Sequence, residues 1–125
     1  MAYDGNLVFG LLAEKVAVGH LHGLGYRILA RNVRFRGGEL DLVAKQGDVL
    51  VFCEVKARRS QASGEPGEAI HAHKQSRLAR LAEDYIQSHP DLACLECRFD
   101  VVLVWRTGWR WRVEVITDAF RPGWE

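Results

Sequence analysis

Residues 39–45 (ELDLVAK) and 49–57 (VLVFCEVKA) are two runs rich in aliphatic and β-branched residues around Gly47-Asp48, and Glu39, Asp41, Glu54 and Lys56 lie inside them. Such a pattern predicts a β-hairpin. A two-residue loop with glycine first suits a type II′ turn. Partner numbers then sum to a constant, which sets Asp41 opposite Glu54 and Glu39 opposite Lys56. Side chains alternate along a strand, so all four project from one face. Like charges directly opposite each other destabilise a strand pair. At a separation of about 5 Å and an effective dielectric of about 20, the repulsion is about 3 kcal/mol. Two arrangements fit these residues. A divalent cation sits between the carboxylates, since hard ions such as Mg²⁺ take carboxylate oxygens and leave room for phosphate and water. Otherwise the face is solvated, with Glu39–Lys56 as an ordinary cross-strand ion pair.

The rest of the chain reads as the setting for that hairpin. A length of 125 residues fits one domain over residues 1–125. Residues 7–24 predict a helix whose apolar stripe is Leu7, Leu11, Val18 and Leu21, with Glu14 inside the stripe. Gly25 is a natural stop. Residues 26–36 suit a strand and Gly37-Gly38 a turn; residues 58–67 (RRSQASGEPG) read as a loop. A second helix is predicted over 67–88, with Ile70, Leu78, Leu81 and Tyr85 on one stripe and Lys74 among them. Two more strands follow at 98–105 and 110–116. The order αβββαββ predicts an α/β (or α+β) domain, one mixed central sheet between helices. Glu14 and Lys74, each on an apolar stripe, then point toward the sheet and converge with the hairpin charges on one site.

Composition narrows the class. No apolar run approaches the roughly 18 residues of a membrane span, and Asp4, Glu14 and Lys15 do not suit a signal peptide. Three cysteines give no disulfide framework, which points to a reduced, cytoplasmic protein. Cys94-x-x-Cys97 offers a metal only two ligands. Cys53 is expected to face the core, away from Glu54. Arg98 and Asp100 alternate on one strand as an ion pair near the site. Trp105, Trp109, Trp111 and Trp124 offer faces on which bases stack, but they read rather as core or as the patch of a homodimer. Net charge is only +1. Even so, basic residues gather before the hairpin (Arg27, Arg31, Arg34, Arg36), after it (Arg58, Arg59) and on the second helix (Lys74, Arg77, Arg80). They form a basic rim for a polyanion or simply solvate the surface.

An aspartate, a spacer and Glu-x-Lys on adjacent strands after a helix carrying Glu resembles the PD-(D/E)XK nuclease superfamily, which includes restriction endonucleases and Holliday-junction resolvases. The match extends in order through Glu14-x-x-Ala17, Gly25-Tyr26-x-Ile28-Leu29, Asn32-x-Arg34, Gly38-Glu39-Leu40-Asp41-Leu42, Val51-Phe52-Cys53-Glu54-Val55-Lys56-Ala57-Arg58, Lys74, Arg98-Phe99-Asp100-Val101-Val102 and Ala119-Phe120. Over nearly its whole length the chain is similar to the YraN-like family of small bacterial proteins. Leu40 stands where the superfamily's name has proline, and Ala13 where the family usually has glycine.

The resemblance implies a restriction endonuclease-like core and a metal-dependent nuclease acting on branched or damaged nucleic acid, DNA in the first instance. In that reading Asp41, Glu54 and the Val55 carbonyl hold Mg²⁺ or Mn²⁺. Lys56 positions the attacking water and stabilises developing charge, Glu14 serves a second metal or its waters, and Glu39 orients Lys56. Lys74, Arg58, Arg59, Arg77 and Arg34 contact nucleic acid. The alternatives are a non-catalytic nucleic-acid-binding module and a protein-interaction scaffold.

Overall fold

The hairpin at Gly47-Asp48 forms with the register that its turn dictates. In the computed structural model, which describes residues 2–59 and 72–122, Gly47 has φ +60° while Asp48 does not share it. That combination is the one a type II′ turn requires. The strands are β2 (Gly38–Gln46) and β3 (Val49–Arg58). Their pairs run from Gln46↔Val49 to Leu42↔Cys53, with partner numbers summing to the expected constant.

Around the hairpin the elements follow the expected order. They are α1 (Ala2–Gly23), β1 (Arg27–Phe35), β2, β3, α2 (Ala72–Ser88), a 3-10 turn (Pro90–Leu92), β4 (Glu96–Thr107) and β5 (Arg110–Phe120). The first five residues of the expected second helix, and most of the expected 58–67 loop, lie outside the described residues. The five strands make one sheet in the order β1-β2-β3-β4-β5. Only β3 and β4 run parallel; the other neighbours are antiparallel. A parallel pair needs a crossover, which here contains α2.

The sheet buries both faces. Leu50, Phe52, Phe99, Val101, Leu103 and Trp105 pack with Leu78, Leu81 and Tyr85 of α2. Leu42, Ala44, Val51, Cys53, Val102 and Val104 pack with Ala13, Ala17 and Leu21 of α1. The second helix thus uses the stripe its spacing predicts, apart from Ile70, which lies outside the described residues. Its α1 counterpart does not. Leu7 and Leu11 are exposed, and the buried line is Ala13, Ala17 and Leu21, at an i, i+4 interval with Glu14 beside it. Two alanines let the helix backbone lie close to the sheet, which bulkier side chains would prevent. A glycine closes the helix. Gly25 has φ +91°, Tyr26 N–H bonds the Leu21 carbonyl and Gly25 N–H bonds that of His22, the pattern of a Schellman cap. Among the described residues no helix is long and apolar enough to cross a membrane.

The burial of α1 sets apart two substitutions that the sequence ranks in the reverse order. Ala17→Leu, at a position with no exposed surface, is expected to destabilise by about 1–3 kcal/mol through overpacking. Leu11→Ser, at an exposed position, is expected to change stability by no more than about 0.5 kcal/mol. Urea midpoints of the two variants check this; a larger loss for Leu11→Ser would show that the expected stripe, not the alanine line, carries the packing.

Candidate active site

Pairing between β2 and β3 ends one step before the carboxylates. Beyond Leu42↔Cys53, β2 continues against β1 and β3 against β4. At this fork the Val55 backbone N–H donates to Asp41 Oδ2 at 2.9 Å. A side-chain oxygen thereby takes a donor at the place where the ladder stops.

Glu54 follows Phe52 by two residues and Asp41 precedes Val43 by two, so both share the α2-facing side of the sheet. Glu54 is buried and Asp41 half-buried. A cavity of about 10 Å³ is lined by both of them with Leu40, Phe52, Leu78 and Phe99, on the order of the space one water occupies. Burial, first, and then the charge of Glu54 push the Asp41 carboxyl up to about 7, against the lowering effect of the Val55 N–H. The pair repels as the sequence requires. Lys74, from α2, makes an ion pair with Glu54. Lys56 lies on the same strand face as Glu54, two residues on.

Other expected members take different partners. Glu39 pairs with Arg34 (3.1 Å), its neighbour across the β1–β2 hairpin, although its charge still bears on Asp41. The expected place directly opposite Lys56 is lost because β2–β3 pairing has already ended. Glu14 is buried and accepts from Arg31 (3.1 Å) and Asn32 (2.9 Å), both on β1. It approaches from the α1 side of the sheet and Lys74 from the α2 side, so the two helical charges do not meet on one face. Arg58 bonds its neighbour's carbonyl, Arg59 lies over the Phe9 ring and Arg77 flanks the backbone at Gly38. Arg34 is 84% exposed.

A further buried carboxylate, Asp100, is paired with Arg98 as the sequence leads one to expect, but its full enclosure has no clear signal in the sequence. Asp100 has no exposed surface, and it accepts from Arg98 Nε (2.8 Å), the Tyr26 hydroxyl (2.7 Å) and the Asp118 N–H (2.9 Å). Arg98 also reaches Gln46. The expected Arg98–Asp100 pair therefore exists, but on the α1 face rather than near the site. Burial, chiefly, and the Asp100 carboxylate push the Tyr26 hydroxyl up to about 12. Cys53 faces this side, and burial pushes its thiol well up. A larger cavity of about 430 Å³ opens at this end of β4, lined by Glu96, Arg98, Asp118 and Arg121 among others. It lies away from Asp41 and Glu54, and volume alone gives it no chemistry.

The donor set at the fork is short. Among the described residues no group of three or more His, Cys, Asp or Glu side chains lies close enough to hold a metal. Mg²⁺ suits such a set, because it is commonly bound through one or two carboxylates while it keeps several waters and takes substrate phosphate oxygens.

Comparison with known proteins places this geometry in context. The model of "Uncharacterised protein family UPF0102" matches residues 13–104, which contain Glu14, Asp41, Glu54, Lys56 and Lys74. A UPF0102 protein of Magnetococcus marinus is 49% identical over 116 residues, 93% of this chain and 94% of its own. One of Symbiobacterium thermophilum is 55% identical over 98 residues, covering 76% and 80% of the two chains. Another, of Syntrophus aciditrophicus, is 44% identical over 115 residues, covering 92% and 90%.

The raised Asp41 carboxyl has a consequence for stability. Its folded pKa of about 7 lies above an unfolded value of about 3.9, so between these the folded state holds a proton that the unfolded state has lost. Without metal, stability therefore falls as pH rises through that window, by at most about 1.4 kcal/mol per pH unit. Asp41→Asn is expected to flatten this slope and to be the more stable protein at pH 8. Urea unfolding in chelator at pH 5 and pH 8 checks it; parallel behaviour of the two proteins would show that the Asp41 carboxyl is not raised.

Proposed function

This chain belongs to the uncharacterised protein family UPF0102, and we propose that it is a metal-dependent phosphodiesterase of PD-(D/E)XK type with a restriction endonuclease-like core. The carrying observation is the Asp41–Glu54 pair, gathered at the β2–β3 fork with a carboxyl held near neutrality. A hairpin shaped by stability alone has no use for such a pair.

In this reading Asp41, Glu54 and the Val55 carbonyl hold Mg²⁺ or Mn²⁺. When bound, the ion supplies Lewis-acid polarisation of the scissile phosphate. The Val55 N–H fixes one Asp41 oxygen, which leaves the other to turn into the site. Lys56 positions the attacking water and stabilises negative charge that builds on the phosphate. Lys74, against Glu54 in this structure, would offer its ammonium to the phosphate as a point charge. Glu39 supports the site electrostatically, and Glu14, through Arg31 and Asn32, steadies the β1 edge or holds outer waters. Arg58, Arg59, Arg77 and Arg34 hold the backbone of the nucleic acid. The substrate class follows from what is missing in the sequence. With no base-reading motif, such a protein selects shape, as in branched or damaged DNA, over sequence.

A second reading has one observation in its favour. Lys74 already neutralises Glu54, as a non-catalytic nucleic-acid-binding module of the same fold would require. A cleavage panel of linear, flapped and four-way DNA in Mg²⁺ or Mn²⁺ separates the two. Cleavage is expected, with Asp41→Asn, Glu54→Ala and Lys56→Ala each losing on the order of 100-fold or more and double variants losing little beyond that. Arg77→Ala is expected to weaken binding and flatten its salt dependence without abolishing cleavage. Tight junction binding that survives Asp41→Asn, with no cleavage in either metal, would leave the binding module standing.

A further inference from the structure

Four flat groups from distant parts of the chain are linked in series where β3, β4 and β5 meet the start of α1. The Arg59 guanidinium lies over the Phe9 ring at 4.5 Å, Phe9 stacks on Trp111 at 5.6 Å with 20° between planes, and Arg106 lies over Trp111 at 5.2 Å. Arg106 is braced by a bond from Nε to the Gly108 carbonyl at 2.9 Å. Beside them Trp109, at the β4–β5 turn, is 81% exposed. A cavity of about 220 Å³ opens among Phe9, Arg59, Arg106 and Gly108.

The charge here is one-sided. Residues 106–112 (RTGWRWR) hold three arginines, two tryptophans and no acid, and Arg58-Arg59 adds two more, on a chain whose net charge is only +1. An exposed tryptophan on a protein surface is hydrophobic area that water disfavours. The faces of Phe9 and Trp111 are already covered by Arg59, by each other and by Arg106, so the open aromatic face is that of Trp109. An exposed aromatic among arginines is the combination of stacking face and electrostatic track that single-stranded nucleic-acid binders use. A duplex offers only phosphates to such a surface, because its base faces are covered by one another.

We infer that this arginine–aromatic cluster binds an unpaired stretch of nucleic acid. The cluster lies on the α1 side of the sheet, where Trp111 packs, and Asp41 and Glu54 lie on the α2 side, so the nucleic acid meets it as a site separate from the fork. The inference adds a preferred nucleic-acid form to the phosphodiesterase reading, but the binding itself does not rest on that reading. The preferred ligand is then a nucleic acid with a single-stranded arm rather than an intact duplex.

Binding is measured by fluorescence anisotropy with the full chain in chelator, where cleavage cannot occur, on a labelled 20-nucleotide single strand and on the duplex of the same length. The single strand is expected to bind more tightly and to quench tryptophan fluorescence. Trp109→Ala, at an exposed turn position, is expected to lose about 5-fold or more on the single strand and little on the duplex. Arg59→Ala and Arg106→Ala are each expected to flatten the salt dependence by about 0.7 in log–log slope. Equal affinity for both forms, no effect of Trp109→Ala, or binding to anionic phospholipid vesicles in place of DNA would overturn the inference. Cleavage in Mg²⁺ is scored separately. Trp109-dependent binding without any cleavage keeps the platform and removes the phosphodiesterase; cleavage without Trp109-dependent binding does the reverse.

Discussion

One hydrogen bond, from the Val55 N–H to the Asp41 carboxylate, decides how the centre of the sheet is used. Backbone donors inside a sheet need acceptors. At this point the donor is met by a side chain, and β2 is free to part from β3. The same bond fixes an acidic oxygen at the fork, one step from Glu54. Had pairing continued through Asp41↔Glu54, the two carboxylates would still repel, but along a closed ladder with no room beside them. The fork gives them a small cavity and an approach from the α2 side.

Two carboxylates on β2 and β4, the strands that flank β3, show the difference between a structural acid and a reactive one. Asp100 has no exposed surface yet receives an arginine, a tyrosine hydroxyl and a backbone N–H. Its burial is offset by donors on several sides, and removing it would strand Arg98 and Tyr26. Asp41 receives one backbone donor and faces Glu54, and its carboxyl is driven to about 7. Strongly perturbed groups of this second kind gather where chemistry is done. Lys74 fits the same logic. Its ammonium supplies the positive charge that the pair requires, from a helix that otherwise packs with leucines and a tyrosine.

Where sequence and structure diverge, side-chain size and distant partners are responsible. The leucines at 7 and 11 look like a core stripe, but α1 is seated through Ala13 and Ala17, whose small size lets the helix approach the sheet. The hairpin register alone sets Glu39 across from Lys56, and Arg34 takes it because their strands remain paired when β2 and β3 no longer are. The helical stripes alone bring Glu14 and Lys74 together, but β1 takes Glu14 with Arg31 and Asn32. Asn32 has φ +51°, a backbone irregularity that no periodicity announces.

The sequence by itself determined what is local. A glycine-led two-residue turn sets the hairpin register, strand alternation puts Asp41 and Glu54 on one face, and the 3.6-residue period of α2 puts Leu78, Leu81, Tyr85 and Lys74 on another. These depend only on separations of a few residues. The Lys74 stripe position also aims its ammonium at the hairpin charges, where it meets Glu54. Tertiary structure alone decided where the strands part, that Asp100 is enclosed on the opposite face, and that Phe9, Arg59, Arg106 and Trp111 stand in line. Each of these joins residues far apart in the chain. Such contacts are selected by packing and charge balance in the folded protein, and no repeat or spacing in the sequence encodes them.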